Sequence, residues 1–221
     1  MRSRLAALAL VASFFSAAPA RASTQFTFVN GGSTTAFGFY VGPYNGLEGT
    51  GAGNPVILNC VDFFDEVRFG QTWQANVTSL ATGVGVGTNT RSSDLASYRR
   101  AAWLTTQYAA NPSETANIQA TIWNLFSGNG TPPTAPGPTD WYAASLPNRN
   151  FAASGFYVVT DVNFRYTSGP NAGQYNPNSV QEFIIYDPRT VATTTPEPAS
   201  LVLLGTGFLG LAGIRSRQRK R

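Results

Sequence analysis

Residues 199–214 carry no charge, are rich in Leu and Gly, and are closed by Arg215-Ser216-Arg217-Gln218-Arg219-Lys220-Arg221. A run of this kind does not share a water-soluble core with the rest of a chain. It lies near the lower limit for a membrane-spanning helix, roughly 17–25 residues. The five basic residues behind it hold that end in the cytoplasm. The opposite end has the pattern of an export leader, residues 1–22. Arg2 and Arg4 come first, then an apolar run over residues 5–15, then small-residue cleavage options at Ala18-Pro19-Ala20 or Ala20-Arg21-Ala22. No Cys stands near that point, which argues against a lipid anchor. What is left to fold is residues 23–194. That is one domain's length, able to bury roughly 70% of its unfolded surface.

Thr195-Pro196-Glu197-Pro198 directly precedes the apolar run. An ordinary C-terminal anchor needs only the span and the charges. With Pro-Glu-Pro added, residues 195–221 resemble the PEP-CTERM sorting signal that exosortase-type transpeptidases read in Gram-negative bacteria with extracellular polysaccharide. The resemblance implies export through the inner membrane and transient anchoring by a transmembrane segment at 199–214. Processing near Pro196, Glu197 and Pro198 and delivery to the cell surface or extracellular matrix follow. The chain is then the substrate of an enzyme and not an enzyme.

The formal charge of +4 belongs to the ends. Between them, seven arginines face ten carboxylates, with no Lys and no His. A mildly acidic domain offers no footprint for nucleic acid. Absence of His removes Ser-His and Cys-His nucleophile pairs and the usual zinc sites. A hydrolase would need a carboxylate pair that the sequence does not single out, and nothing in it calls for a cofactor.

The pattern predicts strands, a helical insert, then strands. Residues 25–29, 36–41, 56–64 and 71–80 alternate or run apolar as strands do, and Gly42-Pro43 and Asn45-Gly46 read as turns. Ser92-Ser93-Asp94 is an N-cap cluster, followed by helical spacing of Leu95, Tyr98, Ala102 and Tyr108 through Ala110. Asn111-Pro112-Ser113-Glu114 ends that helix and starts another, in which Ile118, Ile122 and Leu125 or Phe126 share a face with Trp123 beside them. Residues 128–139 read as loop and 140–146 as a short helix. Strand patterning returns at 155–166 and 179–186. The fold class expected is mainly β with a helical insert (α+β): a β-sandwich-like core plus a small two-helix subdomain.

Cys60 is the only cysteine of the chain. In an exported protein it has no internal disulfide partner, which leaves an inert buried thiol, an intermolecular disulfide, or a covalent bond to another group. Leu58-Asn59-Cys60-Val61-Asp62, Ala101-Ala102-Trp103-Leu104 with Gln107-Tyr108, and Asn117-Ile118-Gln119-Ala120-Thr121-Ile122-Trp123 together resemble the thioester domains of bacterial surface adhesins. That resemblance spans roughly residues 56–126. It implies a bond between Cys60 on a strand and Gln119 on a helix, with Ile118, Ile122 and Trp123 completing the Gln motif and Asp62 supporting the Cys motif. Asn59 departs from the family, which has Tyr, Phe or Leu there. The implied function is adhesion, with the stored acyl group taken by an amine- or hydroxyl-bearing surface target or exopolysaccharide. A Lys-free domain holds no ε-amine of its own to discharge such a bond. The alternative is a passive structural or carbohydrate-binding matrix or biofilm protein in which Cys60 stays unreacted.

Weaker candidates remain. Asp62, Asp65 and Glu66 offer oxygen ligands for calcium, though Phe63 and Phe64 between them read as a strand end. Trp141, Tyr142 and Tyr175 offer sugar-stacking faces, with packing the commoner role. Gly83-Val84-Gly85-Val86-Gly87 lacks the Lys and helix start of a phosphate loop.

Overall fold

A computed structural model describes residues 21–127, 132–134 and 137–188. The leader residues 1–20, part of the loop at 128–139, and the sorting segment with its apolar run and basic end lie outside the described residues. Among those described, no helix is long and apolar enough to cross a membrane.

Six antiparallel strands close a barrel in the order β1 (Arg21–Asn30), β4 (Pro43–Glu48), β5 (Asn54–Cys60), β8 (Phe183–Tyr186), β7 (Phe156–Asp161) and β6 (Thr72–Ser79), returning to β1. A small hairpin, β2 (Thr35–Ala36) and β3 (Phe39–Tyr40), stands apart. Closure replaces the sandwich-like core expected from the sequence. Its cause is β1, which pairs with β4 on one side and β6 on the other, so neither edge stays open. The strand that completes the ring is β4, built from residues read as turns. Pro43 is its first residue, where no ladder donor is required. Gly46 is its midpoint, where Leu58 lies so close that a Cβ would meet its Cδ1 at 2.5 Å.

Alternation along the strands sorts two cores. Phe26, Phe28, Tyr44, Leu58, Cys60, Trp73, Val77, Val159, Phe183 and Ile185 fill the barrel. Phe156, Val158 and Ile184 point outward, into a second core shared with the helices. There they meet Tyr98, Ala101, Ala102 and Leu104 of α1 (Leu95–Thr105) and Ile118 and Ile122 of α2 (Thr115–Phe126). A third helix, α3 (Trp141–Ser145), continues into a 3-10 turn that packs on α1. The short helix expected at 140–146 is thus present and packs with the two helices of the insert.

Local chemistry sets the helix ends. Asp94 caps α1, its carboxylate accepting from the N–H groups of Ala96 and Ser97. The helix stops at Thr105, short of the Ala110 that periodicity predicts. Thr106 and Gln107 bond back to Trp103 and Leu104 and tighten the chain into turns. Pro112–Glu114 makes one 3-10 turn before α2, and Asp140 caps α3 through the Ala143 N–H.

Candidate functional site

Cys60 is the last residue of β5, at the two-residue seam where Asn59 and Cys60 pair with Ile184 and Phe183. Its side chain points into the barrel, and Asn59 faces out, its Nδ2 donating to the Ile184 carbonyl at 3.2 Å. The Asn that departs from the thioester family thus meets β8 and not the sulfur. Cys60 and Gln119 are both 0% exposed.

The helix brings the second half of the site. Gln119 and Trp123 are four residues apart and share one face of α2, adjacent to the Ile118 and Ile122 face that anchors it. Gln119 Nε2 donates to the Cys60 carbonyl at 2.8 Å, and Trp123 Nε1 donates to Cys60 Sγ at 3.4 Å. One helix turn therefore grips the backbone and the sulfur of a single residue. The Gln119 Oε1 accepts from the Tyr108 hydroxyl at 2.8 Å and from the Gly42 N–H at 3.3 Å. On the far side of the sulfur, Gln181 Nε2 donates at 3.2 Å, and the thiol itself donates to the Asp62 carbonyl at 2.9 Å.

Electrostatics keep this thiol neutral. Burial pushes Cys60 up to about 12, against the hydrogen bond from Trp123. Burial likewise holds the Tyr108 hydroxyl well above the ordinary phenol range. Neither group ionises near neutral pH. Any chemistry begins from a thiol and an amide, with N–H donors waiting on the sulfur.

Asp62 has two roles. Its carbonyl holds the thiol, and its carboxylate pairs with Arg91, which also binds Asp65. Burial raises the Asp62 carboxyl to about 7 although Arg91 pulls it down. Tyr175 donates to Asp65 and also contacts Arg91. Of the carboxylates considered for calcium, Asp62 and Asp65 are thus engaged by an arginine, Asp65 by a phenol as well, and Glu66 is exposed. Among the described residues no group of His, Cys, Asp and Glu is arranged to hold a metal ion.

The sugar-stacking candidates differ, with Tyr142 and Tyr175 exposed and only Trp141 packed away. Trp141 is buried and donates to Glu114, and Tyr142 lies against the Arg100 guanidinium. The Gly83–Gly87 segment wraps Leu95, whose Cδ2 would sit 2.5 Å from a Cβ on Gly83. A cleft of about 550 Å3 opens beside the site, walled by Phe39, Tyr40, Phe63 and Phe69 and reaching Trp123 and Gln181.

Gly42, Tyr108, Gln181 and Arg91 carry no site role in the sequence reading, although Tyr108 stands among the residues that resemble the thioester family. Gly42-Pro43 looks like any turn, and Gln181 lies 121 residues from the sulfur it bonds.

Residues 194–220 match the PEP-CTERM protein-sorting motif. The motif marks an exported protein that an exosortase processes at the membrane. No curated protein and no solved structure matches the chain. The thioester-domain resemblance read from the sequence has no support from a matching relative or structure.

Proposed function

We propose that the barrel domain is an adhesin-like module, not an enzyme, displayed at the cell surface or in the extracellular matrix of a Gram-negative bacterium and fixed there through a Cys60–Gln119 thioester. The observation that carries this reading is the Gln119 Nε2 bond to the Cys60 carbonyl inside a fully buried pair. The amide is oriented by the residue whose sulfur would attack it, in a place closed to water. Addition of Sγ to the Gln119 Cδ forms the C–S bond. The thiol proton passes to Nε2, the C–N bond breaks, and ammonia leaves. An external amine or hydroxyl then bonds to Cδ, the C–S bond breaks, the nucleophile's proton goes to Sγ, and the chain is joined to its target through Gln119. Proximity supplies much of the barrier reduction, and Ile118, Ile122 and Trp123 exclude water from the product.

A second reading has its own support. Each polar side-chain atom of Cys60 and Gln119 has a hydrogen-bond partner as it stands, which suits a passive structural or carbohydrate-binding matrix protein with an inert thiol. The intact mass of the exported protein, beside its Cys60→Ala variant, separates the two. The thioester makes the wild type lighter by one ammonia, methylamine then brings it to the unreacted mass plus one CH2, and the variant shows neither change. A full mass in the wild type leaves the passive reading.

A further inference from the structure

A buried glutamine needs partners, but nothing requires that two donors converge on its carbonyl oxygen from separate elements. Here they do. The Tyr108 hydroxyl comes from the turn after α1, and the Gly42 N–H from the residue before β4. The one remaining polar atom, Nε2, is taken by Cys60 itself. With both ends of the amide plane fixed, its carbon can react only with what lies above or below it.

We propose that Tyr108 and Gly42 form the oxyanion pair of the Cys60–Gln119 reaction. The proposal rests on the thioester reading and names two catalytic groups within it. As Sγ adds to Cδ, the carbonyl electrons move onto Oε1, and the two donors receive that charge. When ammonia leaves, the electrons return to re-form the carbonyl. The same pair acts again when an amine or hydroxyl adds to the thioester carbon and Sγ departs. Preorganised donors in a water-excluded site are the largest single source of rate in acyl transfer. The Tyr108 hydroxyl stands 2.8 Å from the ground-state Oε1, close enough to follow that oxygen as it moves to the oxyanion position, where donors act at about 2.7–3.1 Å. The Gly42 bond, at 3.3 Å, has room to shorten as charge grows.

Gly42 shows why this position takes glycine. Its φ is +92°, and a Cβ there would meet Thr115 Cγ2 at 2.5 Å. Only glycine lets the chain pass under the first residue of α2 with its N–H aimed at Oε1. Tyr108 keeps its proton because burial disfavours the phenolate, so it serves as a donor and not as a competing base. On the sulfur, Trp123 and Gln181 supply the matching donors for the departing thiolate.

The test uses the exported protein and its Tyr108→Phe variant, followed by intact mass during reaction with methylamine. The phenylalanine keeps the ring and removes only the donor. The expected result is a thioester in the wild type, and a variant fraction that reacts with methylamine roughly a hundredfold more slowly. A variant loading and discharging within about threefold of a thioester-bearing wild type overturns the oxyanion role and leaves the thioester standing. A wild type at full mass sinks the thioester reading, and this inference with it. If Tyr108→Phe fails to fold, a ring-fluorinated tyrosine at 108 keeps shape and hydroxyl but donates more strongly. Faster discharge then supports the role, and an unchanged rate overturns it.

Discussion

Gln119 donates to the backbone carbonyl of Cys60 across 59 residues of chain, so a helix of the insert is fastened to the seam of the barrel through an amide. The bond serves stability as well as chemistry, because three buried groups depend on that one side chain. They are the Cys60 carbonyl, the Tyr108 hydroxyl and the Gly42 N–H.

Gln119→Ala leaves all three without their partner and opens a cavity. At about 1–3 kcal/mol for each buried group left unsatisfied, the loss is at least about 3 kcal/mol. Cys60→Ala removes one small side chain and orphans mainly the Trp123 N–H, a cost of about 1–2 kcal/mol. Urea unfolding of both variants checks the order. Equal losses would mean that Gln119 is not the fastener.

Glu182 offers a sharper contrast between two substitutions. Buried beneath the helices, it accepts from the Tyr98 hydroxyl at 2.5 Å, the Thr160 hydroxyl at 2.6 Å and the Arg91 N–H at 2.9 Å. Burial raises its pKa, so a neutral isostere suits the site. Glu182→Gln should cost less than about 1 kcal/mol, and Glu182→Ala about 3 kcal/mol or more. Thermal or urea unfolding of the pair decides it, and similar losses would remove Glu182 from the role of hub.

Asp62 makes stability depend on pH. Its folded pKa, raised by burial, lies above the ordinary value, so the folded state holds a proton that the unfolded chain releases. That contribution is complete below about pH 4 and is lost as pH rises toward 7. Asp62→Asn cannot titrate, and Arg91 keeps Asp65 as its partner. The variant should therefore match the wild type at pH 4 and gain on it by at least about 1 kcal/mol at pH 7. Parallel urea midpoints at the two pH values would show that Arg91 holds Asp62 ionised throughout.

How much of this was legible in the chain depends on the range of each signal. The Asp94 cap, the Ile118 and Ile122 face and the strand at 72–79 are local patterns and lie where the sequence puts them. The barrel was hidden because Pro43 and Gly46 speak for turns, and only pairing with β1 and β5 makes them strand. Cys60 and Gln119 were visible through resemblance. Tyr108 stood in the resembling stretch without a role, and Gly42 and Gln181 lay outside it, since a glycine, a tyrosine and a glutamine acquire roles only when remote elements meet.

Gly46 illustrates that long-range demand. A methyl group there would meet Leu58 Cδ1 at 2.5 Å and the Thr27 carbonyl oxygen at 3.1 Å. Gly46→Ala should destabilise the barrel by about 1–3 kcal/mol. Shortening the neighbour in a Gly46→Ala, Leu58→Val double variant should return part of that loss. A double variant no better than the sum of its parts would place the strain on the backbone instead.

The sorting segment lies outside the described residues, but its covalent chemistry carries a prediction. Pro196, Glu197 and Pro198 stand at the start of the residues that match the sorting motif. Replacing Pro196, Glu197 and Pro198 together by alanine removes that part of the motif. The variant should stay with the membrane fraction at the mass of the uncut chain, and the wild type should appear outside the cells without its basic end. Fractionation followed by intact mass checks this. Identical processing of the two would mean that the apolar run and its charges alone direct the cut.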